Sequence, residues 1–372
     1  MMQWIEGEAP LREALAGITG HYTLDTEFMR ERTFWPQLAL VQIGIPAAAE
    51  GEPPLVLLVD PLQSGVHETL RSLFERNDVL AVVHSPSEDW VALRENIGAI
   101  PRHTFDTQQA AAMLGMGGGM SYLKLIETTL GVALEKGEQR SDWLRRPLTD
   151  SQKIYAAADV SYLLDAYDVL APQLAAKGYT EWFAQDMAYA LEQARTDRLE
   201  TWPHLSLRGS GLLNIPQQQV LHRLLTWREQ RARQNNLPRT WVLANDAALE
   251  LARAQPQSES DLRRVLEKMP KAPLKIAGML YTIASTPLPD EADLPDARIY
   301  EQRDKQRVKD LQVAVKQVSD RLGFSDGFLA SRRWIECWMD TGEWLGLLAG
   351  WRRTVLEPVF TGAVAPAADS DS

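Results

Sequence analysis

Asp25 and Glu27 stand two residues apart in the stretch His21-Tyr22-Thr23-Leu24-Asp25-Thr26-Glu27-Phe28. The β-rich composition predicts a strand, and on a strand that spacing sends both carboxylates to one face. Repulsion and desolvation oppose two like charges in a strand interior. A divalent cation relieves both, because hard cations take carboxylate oxygens at about 2.0–2.6 Å. The plainer reading is an exposed face with two unrelated acids. Asp89, in His84-Ser85-Pro86-Ser87-Glu88-Asp89, falls near the start of an expected helix. Its plainer role is to complement the helix dipole, worth about 0.3–1 kcal/mol. Tyr155 and Asp159 are four apart on a further expected helix and share a face, with three alanines between them that allow close approach of another element. Alone, that pair reads equally well as a surface feature.

The elements that must position these groups are legible in the apolar pattern. Leu38–Ile45 and Leu55–Val59 follow the first strand, joined by a turn over Pro46–Pro54, and the short connections predict three antiparallel neighbours. Val66–Phe74 reads as a helix, Val79–Val83 as a buried strand and Pro86–Asn96 as a helix, giving an α/β domain with a mixed sheet. From about residue 107 the chain is almost wholly helical. Ser121 is an expected helix cap, Thr149-Asp150-Ser151 opens a helix running through Leu170, and a helical stretch continues to about Arg198. Met116-Gly117-Gly118-Gly119-Met120 reads as a mobile connection near the cleft; without a following Lys-Ser/Thr it is no phosphate-binding P-loop.

Pro203, Gly209 and Gly211 mark a boundary, after which residues 216–286 read as a bundle of short helices. Leu221, Leu224 and Leu225 share a face, and Ser258-Glu259-Ser260-Asp261 offers a capping box. Pro287–Pro295 is a second linker. Val308, Leu311, Val315, Val318 and Leu322 then repeat at helical steps until Gly323. The expected organisation is a first domain over 1–170, a helical linker over 171–210, helical domains over 211–290 and 291–360, and a disordered tail over 361–372.

Composition narrows the class. A chain of 372 residues exceeds one ordinary core, and 45% hydrophobic with 24% charged residues is usual for a globular protein. No apolar run approaches the roughly 20 residues of a membrane span, and the N-terminus lacks signal-peptide character. Cys337 is the single cysteine, which excludes an intrachain disulfide and a thiolate cluster. A cytoplasmic address fits. The net charge of −11 is unevenly placed. Residues 1–170 carry 13 Lys/Arg against 24 Asp/Glu, whereas residues 211–290 carry 11 against 7. The acidic part suits a cation; the mildly basic part suits phosphates or simply a solvated surface.

The order of the acids and their contexts resembles the DEDD superfamily of 3′→5′ exonucleases, and more closely its ribonuclease D family. The first motif stands as Leu24-Asp25-Thr26-Glu27-Phe28 followed by Pro36-Gln37-Leu38. The second stands as His84-Ser85-Pro86-Ser87-Glu88-Asp89, followed by Phe105-Asp106-Thr107-Gln108; Ser85-Pro86 departs from the smaller or more flexible residues of many relatives and is expected to alter loop shape only. The third stands as Asp142-Trp143-Leu144-Arg145-Arg146-Pro147-Leu148, leading to Gln152 and Tyr155-Ala156-Ala157-Ala158-Asp159. With no histidine between His103 and His204, the chain matches the tyrosine branch. Residues 216–286 resemble the helicase-and-RNase-D C-terminal (HRDC) module through Trp227-Arg228 and Leu237-Pro238-Arg239, and 297–360 resemble a diverged second copy. The implied fold class is an α/β ribonuclease H-like exonuclease domain with a mixed sheet, followed by two all-α HRDC-like bundles.

That resemblance implies hydrolysis of RNA from a free 3′ end to nucleoside 5′-monophosphates, with tRNA precursors as the expected substrate. Asp25, Glu27, Asp89 and Asp159 would hold two divalent cations, Mg²⁺ or Mn²⁺, and Tyr155 would orient the attacking water, since its ordinary pKa of about 10 suits it poorly to general-base work. The expected state is a monomer without an obligate protein partner or a membrane. The alternatives are a DNA exonuclease of the same superfamily and a catalytically silent RNA-binding protein. Thr26, Phe28, His84, Trp90 and Arg146 are the substrate-binding candidates. For each a structural role competes: core packing for Phe28 and Trp90, a local hydrogen bond for His84, helix-end carbonyls for Arg146. Arg223, Arg228, Arg231, Arg233 and Arg239 are candidates for phosphate contacts.

Overall fold

A computed structural model of the chain describes residues 1–47, 54–135, 137–138, 140–270 and 272–362. Most of the expected turn at Pro46–Pro54 and of the expected tail from 361 onward lies outside the described residues. The chain divides into two compact units: Met1–Met29, Pro36–Asp197 and Lys305–Ser372 form the first, Arg30–Trp35 and Arg198–Asp304 the second.

The first unit is built on a six-stranded sheet of order β1-β4-β3-β2-β5-β6. Its strands are β1 (Met2–Ile5), β2 (Gly20–Met29), β3 (Gln37–Ile45), β4 (Leu55–Val59), β5 (Val79–Val83) and β6 (Thr104–Asp106). The pairs β2–β3 and β3–β4 are antiparallel, as the short connections predict, and β1–β4, β2–β5 and β5–β6 are parallel. The edge strands β1 and β6 escape the apolar pattern, being only four and three residues long.

Period-two alternation sorts the sheet residues onto two cores. Val41, Ile43, Leu57 and Val59 face α1 (Glu8–Leu15), α2 (Val66–Phe74) and α3 (Ser87–Ile97). Leu40, Leu58, Val82 and Phe105 face the other way, toward α4 (Thr107–Met113), α5 (Tyr122–Leu130), α6 (Asp150–Ser161), α7 (Leu163–Ala176) and α8 (Thr180–Arg195). The helix expected from Thr149 through Leu170 is two helices, interrupted at Tyr162. Its start is as read: Thr149 and Gln152 form a reciprocal capping box.

The second unit holds α9 (Ile215–Gln234), α10 (Arg239–Val242), α11 (Asn245–Ala254), α12 (Glu259–Glu267), α13 (Ala277–Ser285) and α14 (Ala297–Glu301). Leu221, Leu224, Leu251, Leu262, Leu266 and Leu280 close its core. The segment Arg30–Trp35 packs here, Phe34 and Trp35 each donating a backbone N–H to Asn236 Oδ1, at 3.0 and 2.9 Å.

The later helices α15 (Lys305–Leu322), α16 (Arg332–Thr341) and α17 (Trp351–Gly362) return to the first unit. Leu311, Val315, Trp351 and Phe360 join the core that contains Phe183 and Met187 of α8. A buried Asp186–Arg352 ion pair, with Trp351 Nε1 donating to Asp186 at 2.9 Å, fastens them. The helical linker expected over 171–210 is therefore core material as far as Asp197. An amphipathic stripe reveals a helix but not which domain its apolar face enters. The glycine-rich connection is also tied down. Gly117 N–H donates to Ser325 Oγ at 3.0 Å, and at Gly115 a Cβ would sit 2.3 Å from the Gly323 carbonyl oxygen.

Candidate active site

Asp25 and Glu27 project from β2 on the face covered by α6, whose own face carries Tyr155 and Asp159. Carboxylate oxygens of Asp25, Glu27 and Asp159 lie within 4.8 Å of one another. Asp89, in the first turn of α3, accepts the Thr26 hydroxyl at its Oδ1 and lies outside that group of three, although its charge is felt by each of them. Thr26 thus orients an acid from its place between the other two. The four carboxylates come from three elements separated widely in sequence; Asp25, Glu27 and Asp159 meet between β2 and α6, and Asp89 acts on them from α3.

Their electrostatics are those of an uncompensated cluster. Burial pushes the Asp25 carboxyl well above its ordinary range, and Asp89, Asp159 and Glu27 push it further. Burial, then Asp159 and Asp89, raise Glu27 to about 9. Asp159 rises to about 7 through burial and Asp89, against a lowering hydrogen bond from Tyr155. Burial raises Asp89 to about 6, with the Thr26 hydroxyl opposing. Among the described residues no lysine or arginine relieves any of the four. A hard divalent cation with oxygen ligands is the chemical species that fits this donor set.

Other groups position the acids without having been assigned a role from the sequence. Asp106, buried and raised to about 6 by that burial, accepts the Ser85 and Gln108 backbone N–H groups, each at 2.9 Å. It pins the turn that feeds α3, where Ser85 adopts φ +56°. Tyr122 donates its hydroxyl to the Ala158 carbonyl at 2.9 Å, bracing α6 beside Asp159. Asp106 had a readable signal as an N-cap acid before Thr107-Gln108; Tyr122 had none.

The remaining candidates have contacts of their own. His84 is held by Thr107 Oγ1 at 2.9 Å and the Met120 carbonyl at 3.0 Å, and burial lowers its pKa to about 4. Trp90 is core, 5% exposed, and Phe28 packs against the core on the opposite sheet face. Arg146 makes a bidentate pair with Asp60 at 2.9 and 2.7 Å and donates to the Ala39 and Trp143 carbonyls. Although burial raises Asp60, those Arg146 bonds hold it below the usual carboxylate range. His84 and Arg146 thus have hydrogen-bond partners within the fold, and Thr26 donates a hydrogen bond to Asp89. Three of the proposed phosphate-binding arginines are likewise paired: Arg223 with Glu291, and Arg233 and Arg239 with Glu229.

A family model described as 3′-5′ exonuclease matches residues 2–175, and one described as HRDC domain matches 217–275. Ribonuclease D of Xanthomonas oryzae is 44% identical over 358 residues, covering 96% of this chain and 97% of that protein. The chain belongs to the ribonuclease D family. It is a hydrolytic exoribonuclease of the 3′→5′ class. Ribonuclease D of Pseudomonas paraeruginosa is 32% identical over 370 residues, covering 95% of this chain and 94% of that protein. The crystal structure of Escherichia coli RNase D, described as an exoribonuclease involved in structured RNA processing, superposes with a TM-score of 0.80 at 26% identity, over 98% of each chain. These ribonuclease D relatives span the helical parts as well as the exonuclease domain, in keeping with the resemblance read across nearly the whole sequence.

Proposed function

We propose that this chain trims structured RNA from its 3′ end, releasing nucleoside 5′-monophosphates, with Asp25, Glu27, Asp89 and Asp159 holding two Mg²⁺ or Mn²⁺ ions. The observation that carries the reading is the uncompensated cluster, three of whose carboxylates lie within 4.8 Å of one another. When bound, the cations supply a hydroxide at neutral pH and neutralise charge on the phosphate and the leaving 3′-oxygen. The chain's own part is to hold Asp25, Glu27 and Asp159 together, with Thr26 orienting Asp89 toward the same ions and Tyr155 beside Asp159 for the attacking water. The precursor-tRNA substrate, the cytoplasmic setting and the monomeric state belong to this proposal. So does the reading of residues 211–290 as an HRDC domain and of 291–360 as a diverged copy of it. Comparing matched RNA and DNA oligonucleotides, with and without Mg²⁺ or Mn²⁺, tests it; preferential release of deoxynucleotides supports the DNA-exonuclease reading instead.

Tyr155→Phe removes the hydroxyl that bonds Asp159. The expected result is kcat lowered about 10²-fold, the penalty of a misplaced reactant, with Mn²⁺ affinity retained. Single-turnover kinetics beside a Mn²⁺ titration check it, and unchanged turnover removes the positioning role.

The second unit offers a surface suited to single-stranded RNA. A groove of about 500 Å³ is lined by Trp227, Trp241, Arg231, Lys275 and Met279 among others, with no carboxylate in its lining. Trp241 is 61% exposed, an unusual state for tryptophan that suits stacking on a base. Replacing Arg231 and Lys275 together by alanine is expected to weaken binding of a long RNA. It should also reduce the slope of log affinity against log salt by about one for each lost phosphate contact, leaving cleavage of a dinucleotide unaltered. Filter binding over a salt series reads this directly; an unaltered slope eliminates the contact.

A further inference from the structure

Gln42 is the one polar side chain in the β3 run Leu38-Ala39-Leu40-Val41-Gln42-Ile43-Gly44-Ile45. It is 0% exposed, and neither its amide nitrogen nor its amide oxygen has a hydrogen-bond partner. Its neighbours in the register are Asp25 across β2 and Leu58 across β4. Directly paired residues point to the same face with Cβ atoms about 4.5–5.5 Å apart, so Gln42 shares the α6-facing surface with Asp25. Leu40 and Leu58 on that surface are ordinary core residues. A leucine at position 42 would continue the row.

A second orphan lies beside it. Thr23, two residues before Asp25 on the same face, is 0% exposed, and its Oγ1 also lacks a partner. Its cross-strand neighbour is Gly44, where a Cβ would sit 2.1 Å from that Oγ1. The glycine therefore makes the room the hydroxyl occupies. Thr23 and Gln42 are diagonal neighbours, a separation that long side chains span. Unsatisfied buried polar atoms cost free energy, and three of them, on adjacent residues next to the carboxylate cluster, call for a use.

We infer that Gln42 is a positioning residue for Asp25, its amide N–H donating to an Asp25 carboxylate oxygen in the metal-loaded site while its amide oxygen accepts the Thr23 hydroxyl. One side-chain rearrangement gives all three orphan atoms a partner, and no residue outside the face is needed. Carboxylates that ligate metals are generally held by such hydrogen bonds, whose loss lowers metal affinity or activity about 10–100-fold. This inference rests on the proposed metal role of Asp25.

The test is a Mn²⁺ titration of the full chain, followed by electron paramagnetic resonance of the free ion, for wild type, Gln42→Leu, Thr23→Val, the double variant and Asp25→Asn. Gln42→Leu is expected to melt no lower than wild type without metal, because an apolar side chain of similar size replaces an unsatisfied amide. Its Mn²⁺ affinity should fall about 10–100-fold, and saturating Mn²⁺ should restore most of kcat, which a general packing defect would not allow. Thr23→Val should lower affinity less, and the double variant should be no weaker than Gln42→Leu, since one network is being broken. Wild-type Mn²⁺ affinity in Gln42→Leu, beside loss of binding in Asp25→Asn, overturns the positioning role alone. Wild-type affinity in Asp25→Asn overturns the metal assignment and this inference with it. If Gln42→Leu fails to fold, Thr23→Val decides: reduced affinity supports the network and unchanged affinity overturns it.

Discussion

Asp25→Asn and Asp159→Asn are each expected to lower kcat by about 10³-fold or more in a protein that still folds. A bound cation contributes several kcal/mol of transition-state stabilisation, and each 1.36 kcal/mol is a factor of ten. The fold survives because neither carboxylate holds the structure together. Both are raised above their ordinary range by burial and by acidic neighbours, so their charge opposes folding of the metal-free protein. Asparagine keeps the shape and removes that repulsion. The measurement is mononucleotide release from a 3′-hydroxyl RNA beside a thermal melt. Turnover within tenfold of wild type in either variant would sink the assignment, and so would loss of the folded state.

Metal-free protein should lose stability as pH rises from about 4 to about 9, and Mg²⁺ should reverse that loss. A carboxyl whose folded-state pKa is raised binds more protons folded than unfolded. Its contribution is fully present below the ordinary carboxylate pKa near 4 and disappears as pH passes the folded value. Here that means about 6 for Asp89, about 7 for Asp159 and about 9 for Glu27, with Asp25 raised in the same direction. Cations bind the deprotonated acids, so their affinity should climb over the same window and their binding should release protons. Saturation at about one hundred times Kd adds about 2.7 kcal/mol of stability. Melts from pH 5 to 9 in EDTA and in Mg²⁺ are the measurement. An EDTA melting temperature that rises over that range would show the acids to be compensated by a charge the structure does not reveal, and Asp25→Asn should flatten the EDTA curve.

The partners of Arg146 and His84 show where local reading stops. An arginine, a histidine or a tryptophan near a motif has several available partners, and its sequence neighbours do not choose among them. Arg146 is claimed by Asp60, 86 residues away, and His84 by the carbonyl of Met120, 36 residues on. Such choices are settled by which surfaces are buried against each other, a property of the folded chain.

Short stretches of the chain encode the local geometry of the site. Period-two alternation put Asp25 and Glu27 on one face of β2, the four-residue step put Tyr155 and Asp159 on one face of α6, and the Thr149-Gln152 pair set where that helix begins. These depend on backbone periodicity and on caps within a few residues, which short stretches encode. It took the folded chain to bond Asp89 to Thr26 and to bring residues from Lys305 onward into the exonuclease core. It alone placed an unsatisfied glutamine beside Asp25, since strand register pairs residues by hydrogen bonds across the sheet. The four acids were four weak local signals; burial in one place, without a cation among the described side chains, turned them into a candidate metal site.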